Sequence, residues 1–196
     1  MFIRFVKAVI LVVFALLYRV KITGMENIPE EGAAVMCANH VGELDMLFIG
    51  CKIKRLIHYM AKIELFKIPL LSPIIKRLGA FPVKRGKADI EAIKTALSLL
   101  ENGHIVGIFP EGTRVGNNTQ KKARVKPGAA LLAQKTGAPI LPVAVEGKYT
   151  PFSKIRVIFG EPFTIDLDKN KKYTNSELVK VSENIMNKIY SLLEAK

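Results

Sequence analysis

"AAVMCANHVGELD", residues 33–45, begins as an uninterrupted apolar run and ends among polar groups. Such a run predicts a short buried strand that closes at Asn39-His40. Leu44, Leu47, Phe48 and Cys51 then recur at helical spacing, so a helix must begin soon after the strand. His40 and Asp45 lie five positions apart, which on one regular helix would leave their side chains about 140° apart. They can meet only if His40 stays at the strand end and the helix starts near Gly42 or Glu43. Asp45, in the first helical turn, then folds back onto the imidazole. Strand, sharp turn and helix in this order form the unit of an α/β fold.

The same unit recurs on both sides. "RLIHYMA" (55–61), "AFPV" (80–83), "HIVGIF" (104–109), "APILPVAV" (138–145) and "KIRVIFG" (154–160) read as strands. "ELFKIPLLSPIIKRLG" (64–79) reads as a helix broken by Pro69 and Pro73. "ADIEAIKTALSLLENG" (88–103) is amphipathic through Ile90, Ile93, Leu97 and Leu100 and stops at Gly103. A further helix runs from about Pro127 to Thr136 and ends at Gly137. The last starts at a Thr174-x-x-Glu177 capping box and continues through Leu178, Val181, Ile185, Ile189 and Leu192. Alternating strands and helices predict an α/β protein with a mainly parallel or mixed sheet flanked by helices. Ligands in open sheets of this kind bind beyond the carboxyl ends of the strands. "NH" (39–40) and "PEGTR" (110–114) both follow apolar strands, so they are expected to share one cleft.

With 196 residues, 49% of them apolar, the chain is long enough for a proper core and too apolar for disorder. Cys37 and Cys51 sit in apolar segments and form neither a disulfide framework nor a metal spacing, which fits a reduced cytosolic setting. The formal charge of +13 is unevenly spread: residues 52–87 hold ten basic side chains against Glu64 alone. Such a field attracts phosphate groups, on nucleic acid, on anionic lipid or on a small substrate. "MFIRFVKAVILVVFALLYRV" (1–20) contains an apolar run of 11 residues, Ala8 to Tyr18. As a helix it measures about 16 Å, short of the roughly 30 Å hydrocarbon core. No small-residue cleavage site follows it, unlike a signal peptide. It reads first as an amphipathic membrane-surface helix, with Arg4, Lys7, Arg19 and Lys21 at lipid headgroups; a spanning helix and a buried core helix are the alternatives. The expected division is an anchoring helix over 1–24 and an α/β domain over 25–196.

A carboxylate on one ring nitrogen of His40 fixes the tautomer and leaves the other nitrogen as a base. If the substrate supplies a hydroxyl, no serine or cysteine nucleophile is needed. The same spacing also suits a purely structural His–Asp hydrogen bond. In "FPEGTR" (109–114), Arg114 can grip a phosphate with two parallel hydrogen bonds. Glu111 and Thr113 can shape the loop or bind a substrate hydroxyl. Glu111 and Arg114 can instead form an internal salt bridge.

Four blocks in order, "NHVGELD" (39–45), "GAFPVKR" (79–85), "FPEGTR" (109–114) and "LPVAV" (141–145), resemble the glycerolipid acyltransferase family, the 1-acylglycerol-3-phosphate acyltransferases, over almost the full length. "AKIELFKIP" (61–69) resembles the stretch the family has between the first two blocks. The resemblance implies acyl transfer from a thioester to the free hydroxyl of a lysophospholipid, with His40 as general base and Asp45 as its orienting partner. Lysophosphatidic acid as acceptor would give phosphatidic acid at the cytoplasmic face of the cell membrane. It places phosphate recognition on Lys62, Arg85 and Arg114. Asn39, Glu111, Gly112 and Thr113 become substrate-binding or loop-shaping residues. No bound cofactor is implied; acyl-CoA or acyl-acyl carrier protein is the donor. "LPVAV" would wall the acyl or phosphate site, with Pro142 fixing a bend. Gly42 departs from the pattern, since many members have serine there.

The other candidates fit structural roles better. His58 fits sheet packing, His104 fits a solvent-facing turn, and strand alternation points Lys84 away from Arg85. "QKKARVKPG" (120–128) is a basic loop that steers phosphate or a carrier protein, or is simply solvated; Lys126 is its functional candidate. The histidines are too scattered for a metal site. The rival readings are a same-family enzyme with another lysophospholipid or glycolipid acceptor and a noncatalytic basic module for anionic membrane or nucleic acid. Nucleic acid would call for aromatic residues interleaved with the basic patch, and only Tyr59, Phe66 and Phe81 lie near it.

Overall fold

The computed structural model describes residues 2–84, 89–114 and 124–194, apart from the side chain of Arg4. Its strands are β1 (Arg19–Thr23), β2 (Ala34–Ala38), β3 (Ile57–Lys62), β4 (Phe81–Val83), β5 (Ile105–Ile108), β6 (Ile140–Gly147) and β7 (Lys154–Phe159). They form one sheet in the order β1-β7-β6-β2-β5-β3-β4. The helices are α1 (Phe2–Leu17), α2 (Asp45–Gly50), α3 (Leu71–Arg77), α4 (Ile90–Glu101), α5 (Gly128–Thr136) and α6 (Asn175–Glu194). The expected mixed α/β sheet is therefore present, with every predicted strand in it.

Five strands, β2 to β6, run parallel, β7 pairs antiparallel to β6, and β1 pairs parallel to β7. β2 is buried along its whole length, as its uninterrupted apolar run requires. Its alternate residues feed two cores. Ala34, Met36 and Ala38 join α1 and α2 through Phe14, Phe48 and Ile49. Val35 and Cys37 join α4, α5 and α6 through Ala96, Leu132 and Ile185. Gly107 of β5 leaves room for a ring, since a Cβ there would lie 2.5 Å from Tyr59 Cε1.

The punctuation signals act as expected. Thr174 Oγ1 and Glu177 exchange hydrogen bonds at the start of α6. Gly137, at φ 70°, ends α5 in the left-handed conformation that glycine adopts at no steric cost. The Pro69 and Pro73 segment divides into a 3₁₀ turn at Ile63–Lys67 and α3.

The N-terminal unit expected over 1–24 holds two elements. α1 stops at Leu17, and Arg19–Thr23 is an edge strand that the turn-rich linker after it concealed. α1 lays Phe14 into the core, with Ile10 and Leu11 beside it. Its other face leaves Phe5, Val9, Val12 and Leu16 exposed. Lys7 turns inward and donates to the Ile53 carbonyl, so it does not reach out as the headgroup reading supposed. Among the described residues, no helix is long and apolar enough to cross a membrane.

Phe48 is fully buried and joins α1 to α2, with its ring 4.2 Å from Phe14 and 5.2 Å from Tyr18. Phe48→Ala is expected to lower the unfolding free energy by about 3–5 kcal/mol, measured by denaturant titration.

Candidate active site

The chain leaves β2 at Ala38, and the parallel strands bring four other connections to the same sheet edge. Lys62 ends β3, Val83 ends β4, Phe109–Arg114 follow β5, and Lys148-Tyr149 follow β6. Asn39 ties the end of β2 to β6: its amide donates to the Val145 carbonyl at 2.8 Å and accepts from the Val145 N–H at 2.7 Å. It is buried and shapes the loop.

His40 and Asp45 meet, although α2 starts at Asp45 itself rather than near Gly42 or Glu43, and the turn of residues 42–44 makes the approach. His40 Nδ1 lies 2.6 Å from Asp45 Oδ2. The same oxygen accepts the Val41 N–H at 2.8 Å and the Gly42 N–H at 3.0 Å. Asp45 is the first residue of α2, where the helix dipole favours negative charge. Its other oxygen, Oδ1, accepts from the Tyr149 hydroxyl. A carboxylate beside Nδ1 requires a proton on that nitrogen, so Nε2 carries the free lone pair. The imidazole also stacks on Phe109, centroids 4.2 Å apart at 18°. The Tyr59 ring lies nearly parallel to Phe109, centroids 6.1 Å apart.

Glu111 is buried and holds the loop rather than facing solvent. Its Oε2 accepts the His40 N–H at 2.8 Å, and its Oε1 accepts from the Tyr190 hydroxyl of α6. The internal Glu111–Arg114 salt bridge considered from sequence does not form. Arg114 pairs with Glu43 at 2.8 Å and stays partly exposed. Gly112 adopts φ +63°, which turns the loop back over Lys126. Thr113 is exposed. Lys62 and Arg114 thus sit on the same edge as His40, while Arg85 and residues 120–123 of the basic loop lie outside the described residues. The His58 ring faces the Gly79 carbonyl at 3.1 Å, and His104 is exposed. Pro142 is buried in the middle of β6, opposite Cys37. Among the described residues, no cluster of three or more metal-ligating side chains occurs.

Sequence inspection missed Tyr149, Tyr190 and Phe109 as site residues. Phe109 adjoins the "PEGTR" motif, which is a usable signal; the two tyrosines carry none. An apolar cavity opens between α1, α2, β3 and α3, lined by Ile10, Met46, Leu47, Tyr59, Ile75 and Leu78.

The chain belongs to the Acyltransferase family, whose model matches residues 19–146. It is 38% identical over 157 residues to 1-acyl-sn-glycerol-3-phosphate acyltransferase of Bacillus subtilis, covering 77% of each chain. It is 30% identical to the chloroplastic 1-acyl-sn-glycerol-3-phosphate acyltransferase LPAT1 of Arabidopsis thaliana, over 74% of this chain and 44% of that one. The fold is similar to the crystal structure of the 1-acyl-sn-glycerophosphate (LPA) acyltransferase PlsC of Thermotoga maritima. That match has a TM-score of 0.73 and 27% identity, and covers 99% of this chain and 80% of the other.

Burial raises the Glu111 carboxyl above the ordinary value of 4.5, and the donated hydrogen bonds only partly offset it. The folded state therefore holds this proton more tightly than the unfolded chain does. The stability this contributes is full below about pH 4.5 and is lost as pH rises through the folded value. The unfolding free energy of wild type relative to Glu111→Gln should accordingly fall with rising pH above 4.5 and then level off. Denaturant titrations of both proteins across that range check it.

Proposed function

We propose that the enzyme transfers a fatty acyl group from a thioester donor to the free hydroxyl of 1-acylglycerol-3-phosphate, giving phosphatidic acid. The observation that carries this is the buried His40–Asp45 pair, 2.6 Å apart at the strand edge, in a chain of the Acyltransferase family. The names of the relatives supply the acceptor. His40 Nε2 takes the hydroxyl proton as the oxygen attacks the thioester carbonyl. The tetrahedral intermediate then collapses with loss of the thiolate, which recovers the proton from the imidazolium. Asp45 holds the ring and stabilises its charged form. The acyl group passes directly to the acceptor, so no acyl-enzyme forms.

Lys62, Arg85 and Arg114 bind the acceptor phosphate in this reading, with Arg114 exchanging Glu43 for it. Asn39, Glu111, Gly112 and Thr113 shape the loop rather than carry the proton. The apolar cavity between Tyr59 and α1 supports entry of an acyl chain from the side of that helix. Residues 2–17 act as the anchor: their exposed face, together with Ile68, Leu70 and Ile74, offers apolar side chains to a membrane surface. The thioester carrier, CoA or acyl carrier protein, approaches from the cytoplasmic side.

Phosphatidic acid formation from lysophosphatidic acid, with acyl-CoA and acyl-acyl carrier protein in parallel, tests the assignment. His40→Ala should reduce kcat by about 10²–10⁴-fold. Arg114→Ala should act mainly by raising KM for the acceptor. A fully active His40→Ala sinks the mechanism, and a folded wild type inactive with both donors sinks the acceptor. The preferred donor names the carrier.

Deleting residues 1–20 would remove Phe14 from the core and break β1, so the anchor calls for point changes. Val12→Ser with Leu16→Ser, at side chains 60% and 68% exposed, should reduce flotation with vesicles containing anionic lipid while leaving the fold intact. Undiminished flotation would remove α1 from the membrane contact.

A further inference from the structure

We propose that Tyr149 is a positioning residue of the active site, clamping the Asp45 carboxylate in the plane that aims His40, and that Gly42 is the notch its ring requires. The proposal rests on His40 being the base. Three of the donors to Asp45, from His40, Val41 and Gly42, converge on Oδ2 and come from the adjoining turn. Oδ1 takes its hydrogen bond from Tyr149, 104 residues away in the β6–β7 connection. A carboxylate held at one oxygen can still rotate about the bond that carries it. Held at both, it fixes the direction of the His40 Nδ1 bond and so the aim of Nε2.

Gly42 bears on the same contact independently. Its φ lies outside the left-handed region, so the backbone accepts any residue there. What excludes a side chain is Tyr149: a Cβ on residue 42 would lie 2.4 Å from Cε2 and 2.5 Å from Cδ2 of its ring. The glycine is thus a steric partner of the tyrosine. Phe48 seats the ring from the α2 side, with centroids 5.2 Å apart. Burial and then the negative charge of Asp45 push the Tyr149 phenol far above its ordinary value, so it stays a donor throughout the working pH range.

The test compares full-length wild type, His40→Ala, Tyr149→Phe, Gly42→Ser, Tyr149→Ala and the Gly42→Ser/Tyr149→Ala pair. Each is assayed for acyl transfer to lysophosphatidic acid, and every protein that keeps His40 is also read by the low-field proton resonance of its Nδ1–H. Tyr149→Phe keeps the ring and removes only the hydroxyl. It should lower kcat about tenfold, the scale of one hydrogen bond, with KM within about twofold. It should also move the Nδ1–H resonance. Gly42→Ser should be harmful while Tyr149 is present and neutral or beneficial in the Tyr149→Ala background, because the ring it collides with is gone. A wild-type kcat and an unmoved resonance in Tyr149→Phe would overturn the proposal, as would equal harm from Gly42→Ser in both backgrounds. Full activity in His40→Ala would instead overturn the base assignment on which it rests. The resonance reads the clamp even if lysophosphatidic acid is not the acceptor.

Discussion

A carboxylate removed entirely from water must have its lone pairs met by donors, and Asp45 at 0% exposure meets that condition from two distant parts of the chain. The turn of residues 40–42 supplies backbone and imidazole donors to one oxygen, and the β6–β7 connection supplies a phenol to the other. Much of the remaining architecture follows from this. The turn must leave β2 sharply enough for two consecutive N–H groups to point at one atom. α2 must begin at Asp45 itself. β6 must run parallel to β2 so that its carboxyl end delivers Tyr149 to the same edge. Glu111 makes the parallel arrangement for β5, bonding the His40 N–H from one side and Tyr190 of α6 from the other. Two buried acids thus fix one histidine, Asp45 through its ring and Glu111 through its backbone.

The positive charge is more divided in use than its total suggests. Within the basic stretch 52–87, Arg55 donates to the carbonyls of Pro29, Gly32 and Gly103, which stitches the β2 and β5 entrances together. Arg77 lies over the Phe2 ring at 5.2 Å, joining α3 to the start of α1. These two arginines are committed to structure. Lys62 at the end of β3 and Arg114 after β5 are instead on the edge that carries His40. The parallel order β2-β5-β3 brings the carboxyl ends of these strands to one edge without any local sequence signal. The phosphate-binding role proposed for them draws on cations that the fold has not already committed to backbone carbonyls or rings.

The strand–turn–helix around His40 was legible because its constraint is local: a five-residue spacing, a buried run before it and a helical period after it. Glycine and capping signals were legible for the same reason. β1 was not, because RVKIT is short, carries two charges in five residues and is continuous with an apolar helix, and only pairing with β7 makes it a strand. Tyr149 was not legible either. Its partner lies 104 residues away, and a tyrosine in a loop looks the same whether it meets solvent or a carboxylate. The absence of a side chain at Gly42 was visible in the sequence, but what fills the space was not.

The N-terminal helix and the His40–Asp45 pair belong to one folded unit. Phe14 of α1 packs at 4.2 Å on Phe48, Phe48 packs at 5.2 Å on Tyr149, and Tyr149 bonds Asp45. Only two rings therefore separate the helix from the tyrosine that clamps the dyad. A flexible tether would let the site wander relative to a membrane surface. Here the height of His40 above the exposed face of α1 is set by close-packed aromatic contacts, and these resist displacement as a protein core does. The apolar cavity lies against the same helix, between it and β3. The helix, the cavity and the His40–Asp45 pair are therefore parts of one packed body.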